Sequence, residues 1–215
     1  TQQHSAQRSE RRDEEPIEAL VAATNNPHKL VEFRRLFPGL RVLSPAELDV
    51  RFEFEEGGES YLANALGKAQ SLRARVGRPV LADDSGLEVA ALGGEPGVYS
   101  SRYGSGPAGK LSDAERNRRL LESVRETADR SCFFVCCMVL ALGPRRFFVA
   151  QETFPGLLAR APAGTGGFGS DPVVYIPDAG CTVAELSDAQ KDRISHRGLA
   201  ARRILAMLAG FEPSP

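Results

Sequence analysis

Unbroken apolar runs and apolar stripes at helical spacing alternate along the chain, and they predict its elements in order. Residues 17–24 (IEALVAAT) form a short apolar run that meets the turn-forming Asn25-Asn26-Pro27. Leu30, Phe33, Leu36 and Phe37 then recur at helical intervals with Lys29, Glu32, Arg34 and Arg35 between them, so a strand, a loop and a helix come first. Residues 40–43 read as a second strand. From Ser60, a stripe of Leu62, Ala65, Leu66, Ala69, Leu72 and Val76 marks an amphipathic helix closed by Gly77. The run 80–82 predicts a short buried strand ending in Asp83-Asp84-Ser85-Gly86. A glycine-rich segment over 93–109 leads to a charged helix at about 113–126. Two longer runs, 132–142 and 146–154, flank Gly143-Pro144-Arg145 and read as a hairpin. A glycine-rich loop covers 163–172, too flexible for a plain connector, and a helix over about 195–209 ends the pattern. Early alternation of strands and helices with a late hairpin predicts a mixed α/β sheet.

Composition narrows the function classes. The 215 residues suit one domain or two small lobes, with a 42% hydrophobic share to fill a core. Lys and Arg total 27 against 28 Asp and Glu, so no global positive field exists to hold nucleic acid, and no nucleic-acid partner is expected. The longest apolar run, 132–142, is well short of the about 20 residues a membrane helix needs, and no membrane partner is expected. Residues 1–16 are polar and read as a disordered tail, leaving 17–210 as the folded domain. Cys132, Cys136, Cys137 and Cys181 show no paired spacing; buried, inert thiols and a reducing cytoplasm are the expectation.

Four segments carry candidate chemistry. Thr24-Asn25-Asn26-Pro27-His28-Lys29 leaves a strand and enters a helix, where free N–H groups, the positive end of the helix dipole and a lysine make a phosphate cradle; an ordinary capped turn is the alternative. Asp83 and Asp84 lie at the end of a buried strand, where α/β sheets place ligands, and adjacent carboxylates suit a hard cation. Glu55 and Glu56 offer further carboxylates, or simply an acidic solvated loop. In Gly166-Gly167-Phe168-Gly169-Ser170-Asp171, glycines let the backbone approach a ligand and leave Phe168 free to stack on a base. Lys191 precedes Ser195-His196-Arg197, where Ser195 caps a helix whose first turn carries cations that the dipole disfavours, which points to function. The segment Gly104-Ser105-Gly106-Pro107-Ala108-Gly109-Lys110-Leu111 nearly matches a P-loop, but Leu111 replaces the hydroxyl and no strand leads into it.

The stretches TNNPHK, EEGGESYLANALGKA, LADDSGLEVAALGGEPGVYSSRY, GTGGFGSDP and ISHR, in this order, resemble the inosine triphosphate pyrophosphatase family, which hydrolyses non-standard purine nucleoside triphosphates. The resemblance covers residues 21–208. It implies an elongated mixed β-sheet with flanking helices, two lobes around a nucleotide cleft, magnesium as cofactor, a homodimer, and release of a monophosphate and pyrophosphate from ITP, dITP or XTP. On matching positions it implies that Thr24, Asn25, Asn26, Pro27, His28 and Lys29 hold the triphosphate. Asp84 is implied as proton acceptor and metal ligand, Glu55 as a second metal carboxylate, and Ser85 as a substrate contact. Phe168, Gly169, Ser170, Asp171, Lys191, His196 and Arg197 are implied to hold base and sugar. Family members often carry glycine at Asn25, which matters little if the backbone can still turn, and an aromatic residue at Ser170, whose absence here implies weaker base stacking or a shifted substrate preference.

Overall fold

Alternation along the strands sorts the apolar side chains into two layers. A computed structural model describes residues 17–107 and 109–210; the tail expected over 1–16 lies outside the described residues. The strands are β1 (Ala19–Ala22), β2 (Arg41–Leu43), β3 (Val80–Val89), β4 (Pro96–Gly97), β5 (Ser131–Ala141), β6 (Phe147–Leu158), β7 (Val174–Ile176) and β8 (Cys181–Thr182). They form one sheet in the order β2-β1-β3-β5-β6-β7-β8, with β4 paired to β3. The pairs β1–β2 and β1–β3 are parallel, whereas β3–β5, β5–β6, β6–β7 and β7–β8 are antiparallel. The mixed sheet expected from sequence is therefore present.

Five helices flank it among the described residues: α1 (Pro27–Leu36), α2 (Tyr61–Val76), α3 (Asp113–Ser123), α4 (Asp188–Ile194) and α5 (His196–Ala209). Leu20, Leu81, Met138 and Leu140 face α1 and α5, meeting Phe33, Phe37, Ala200 and Ile204. Their strand neighbours Val21, Val80, Ala82, Val139 and Ala141 face the other way, onto Ala65, Ala69 and Leu72 of α2. A third cluster, around Leu87, Phe134, Leu120 and Val173, lies toward the far ends of β3 and β5. The long strands thus run through two poles of packing. Replacing a fully buried residue such as Leu140 or Ile204 by alanine costs about 2–5 kcal/mol.

Local chemistry sets the helix ends. Asn26 caps α1, with Pro27 at the first helical position. Ser60 caps α2, and Gly77 closes it at a left-handed φ of 62°. Ser195 ends α4 and caps α5, so one residue makes the corner between them. At Gly198 a Cβ would lie 1.9 Å from the Asp192 carbonyl oxygen, so that corner requires glycine.

Two predicted boundaries move. The strand expected to stop before Asp83 continues to Val89, because Asp83-Asp84-Ser85-Gly86 pair in register with Met138, Cys137, Cys136 and Val135 of β5. The hairpin partner expected over 146–154 reaches Leu158 through Pro155 and Gly156. The short helix α4, seven residues long, was not anticipated, although Ser187 and Gln190 form the capping box that starts it.

Candidate active site

A cavity of about 760 Å3 opens over β3. Asp83, Asp84 and Ser85 lie along its floor, the turn of residues 24–29 on one wall, and Phe168 to Asp171 with Lys191, His196 and Arg197 on another. All the sequence-predicted site residues line this cavity except Glu55, which is exposed and outside it; Glu56 takes its place. The one-residue exchange follows from local geometry: Glu56 Oε1 accepts from Lys68 Nζ at 2.7 Å, and that lysine projects from α2.

The acidic end is built from α2 and β3. Asp84 Oδ2 accepts from Asn64 Nδ2 at 2.9 Å, and Lys68 Nζ stands 3.5 Å from Asp84 Oδ1. Asn64 and Lys68 are four residues apart, so one helix face delivers both. Burial lifts the Asp84 carboxyl above its ordinary value, and Lys68 and Asn64 only partly offset this. Asp83 is the opposite case. Burial would raise it too, but Lys29 and Arg197 hold it well below the carboxylate range. Lys29 Nζ lies 2.8 Å from Asp83 Oδ1, and Arg197 Nε lies 3.0 Å from Asp83 Oδ2. Adjacent carboxylates therefore have different proton affinities, the usual mark of divided roles.

The turn at the start of α1 differs from expectation in one respect. The N–H groups of His28 and Lys29 are taken by Asn26 Oδ1, at 2.9 and 3.3 Å, and the Asn26 N–H by Thr24 Oγ1 at 3.0 Å. The capped-turn alternative accounts for those donors, leaving Lys29 as the cation of this wall. Asn25 Nδ2 donates to the Phe52 carbonyl at 2.7 Å, tying the turn to the segment that carries Glu56.

The other wall is an ion-pair network. Arg197 Nη1 donates to Glu32 Oε2 at 2.7 Å and Nη2 to Ser85 Oγ at 2.8 Å. Lys191 Nζ bonds both Glu32 and Asp171, the latter at 2.7 Å. Burial raises Glu32 and Asp171 alike. Two cations pull Glu32 below its usual value, whereas Asp171 has only Lys191 and stays raised. These partners supply a structural reason for Arg197 in the first turn of α5 that the dipole argument lacked. His196 stacks on Phe134, with centroids 4.7 Å apart, and its Nδ1 is buried without a hydrogen-bond partner. Burial, with Arg197 and Lys191 nearby, holds its pKa well below the ordinary value, so the ring is neutral at neutral pH.

The Phe168 loop is pinned rather than flexible. Gly169 donates to Asp113 Oδ2 at 2.7 Å and accepts from Asn117 Nδ2 at 2.8 Å, while the Phe168 N–H meets Asp171 Oδ2 at 3.0 Å. At Gly167 a Cβ would fall 1.9 Å from Asp171 Oδ2, so the glycine serves close approach instead of mobility. Lys110 and Leu111 also line the cavity, though among the described residues no strand leads into their segment, as a P-loop would need. The cysteines are free, three of them buried, and burial pushes Cys137 up to about 11, as inert thiols require.

Sequence reasoning missed Glu32, Asn64 and Lys68, and read Asp83 only as a metal carboxylate, not as the partner of Lys29 and Arg197. The signal was available in part: Glu32 and Lys68 are charged residues on otherwise buried helix faces.

The Ham1 family model matches residues 20–207. A protein of Treponema denticola called dITP/XTP pyrophosphatase is 41% identical over 89% of this chain and 98% of its own length. One of the same description from Thermus thermophilus is 46% identical over 91% of this chain and 93% of its own. The Staphylococcus aureus Ham1 protein superposes with a TM-score of 0.79 at 38% identity, covering 89% of this chain and 98% of that one. A HAM1 protein from Coxiella burnetii gives 0.80 at 36% identity over the same shares. The long-strand sheet, the cavity over β3 and the chain-long match agree, and the chain belongs to the Ham1 family.

Proposed function

We propose that this protein hydrolyses non-standard purine nucleoside triphosphates, dITP, XTP and ITP, to the monophosphate and pyrophosphate. The observation that carries the reading is one cavity holding two unlike ends. At one, a carboxylate of raised proton affinity, Asp84, stands beside Lys68 and Glu56; at the other, donor-only cations lie beside an aromatic platform.

Water attacks the α-phosphorus, and pyrophosphate leaves. Asp84 orients that water and accepts its proton on a carboxylate oxygen; its raised pKa makes it a stronger base than an exposed aspartate. Asn64 holds the other oxygen and fixes the carboxylate plane. Lys29 and Lys68 place positive charge beside the floor, where charge on the phosphate oxygens grows in the transition state. Magnesium fits the residues present. Glu56 and Asp84 converge on one ammonium, and magnesium takes one or two carboxylates together with water and phosphate oxygens. Among the described residues no group of three or more His, Cys, Asp or Glu is placed to hold a metal ion by itself. When bound, magnesium supplies charge neutralisation and a more acidic water.

Base choice follows from donor chemistry. Arg197 and Lys191 can only donate; hypoxanthine and xanthine present an oxygen at the six position, whereas adenine presents an amino group. Sites built on such a match reject the mismatch by a factor on the order of 10⁴. The reading includes a homodimer, as the family resemblance implies, and a cytoplasmic setting, with which the free, buried thiols agree; among the described residues no helix is long and apolar enough to cross a membrane. Incubation of dITP with the protein and magnesium tests the reaction. Formation of dIMP and pyrophosphate supports it; dIDP and phosphate, or equal turnover of ATP, refutes it.

A further inference from the structure

The proposed reaction leaves His28 without a task. Sequence puts it in the turn on the Lys29 side, and the cap accounts for its backbone, whose N–H meets Asn26 Oδ1. Nothing in that cap calls for an aromatic side chain. The imidazole instead lies against Phe168, with ring centroids 5.3 Å apart and planes 16° from parallel.

Of the two rings, Phe168 is the fixed one. Its N–H is held by Asp171, and the flanking Gly167 and Gly169 adopt left-handed φ values of 66° and 63° that other residues rarely take. Lys191 Nζ and Arg197 Cζ stand 5.0 and 5.4 Å from its centroid. An aromatic platform beside two donors is where a purine gains both stacking and hydrogen bonds. His28 is exposed on the first turn of α1, and its ring can leave by side-chain rotation alone.

We propose that His28 holds the purine's stacking place on Phe168 in the ligand-free cleft, and that the base binds by displacing it. The proposal rests on the purine reading of this cleft and deepens it: His28 occupies the base subsite, and every base must displace it. Breaking the His28–Phe168 stack sets a threshold. That cost is the same for every base and lowers all base affinities alike; the contacts with Phe168, Lys191 and Arg197 then rank the bases.

The test is calorimetric binding of IMP, UMP and inorganic tripolyphosphate to the wild type, His28→Ala and His28→Phe. Alanine keeps the Asn26 cap, because only the backbone N–H of His28 takes part in it. The expected result is that His28→Ala binds IMP about two- to tenfold more tightly, the worth of one aromatic pair. UMP gains by a similar factor, which brings weak binders within reach, and His28→Phe returns IMP to wild-type affinity or weaker. Tripolyphosphate affinity moves with none of these changes. Weaker or unchanged IMP binding in His28→Ala overturns the proposal, the former because His28 then supports the bound base. A parallel shift in tripolyphosphate affinity also overturns it. Because binding is read without turnover, a wild type that fails to hydrolyse dITP refutes the reaction while this comparison still decides the displacement.

Discussion

Arg197 Nη1 donates to Glu32 Oε2 at 2.7 Å, joining the first turn of α5 to the middle of α1 inside the protein. Both side chains are almost fully buried, and Lys191 shares the same carboxylate. Glu32→Gln keeps the volume but leaves two buried cations short of a charge. Removing one partner of a buried pair costs about 3–5 kcal/mol. Denaturant unfolding of Glu32→Gln is expected to show a loss in that range; a loss under about 1 kcal/mol would mean the cations find other partners.

Asp84→Asn separates chemistry from binding. The amide keeps the shape and can still meet Asn64 after a flip, but it cannot accept the proton from water. Turnover of dITP is expected to fall by about 10²–10⁴. Near-normal turnover at saturating magnesium would remove Asp84 from the role of base.

The His196 ring gives stability a defined pH dependence. Its folded pKa lies well below the unfolded value of about 6.5, so the unfolded chain binds the extra proton first. The contribution is therefore complete above about pH 6.5 and declines as pH falls toward the folded value. Thermal melts from pH 7.5 to 5 should show a falling Tm, and His196→Phe should flatten that part of the curve. An equal slope in the variant would assign the effect to other groups.

Gly198→Ala probes the corner that aims His196 and Arg197. A Cβ there meets the Asp192 carbonyl at 1.9 Å, backbone against backbone, so α4 and α5 must separate. Destabilisation of about 1–3 kcal/mol is expected, with a raised KM for dITP, because Arg197 shifts with the helix. Unchanged KM would show that Arg197 is held by Glu32 and Asp83 alone.

Much of this was legible in residue order. The strand runs, the Ser60 and Ser195 caps, the Gly77 stop and the hairpin all rest on local signals, and the structure places them within a few residues. The course of β3 past Asp83 was not legible, because polar residues normally end a strand. Here Asp83 is buried by pairing with Lys29 and Arg197, which are 54 and 114 residues away. The choice between Glu55 and Glu56 depends on which one meets Lys68 across the cavity, a contact between segments that spacing cannot fix. The contact of the His28 ring with Phe168, 140 residues apart in sequence, is likewise beyond what spacing can fix.

In the proposed reaction, water activated at Asp84 attacks the α-phosphorus. Hydrolysis of dITP in heavy-oxygen water, with mass analysis of both products after a single turnover, tests it most directly. One heavy oxygen is expected in dIMP and none in pyrophosphate. Label in pyrophosphate, with unlabelled dIMP, would place the attack on the β-phosphorus and contradict it.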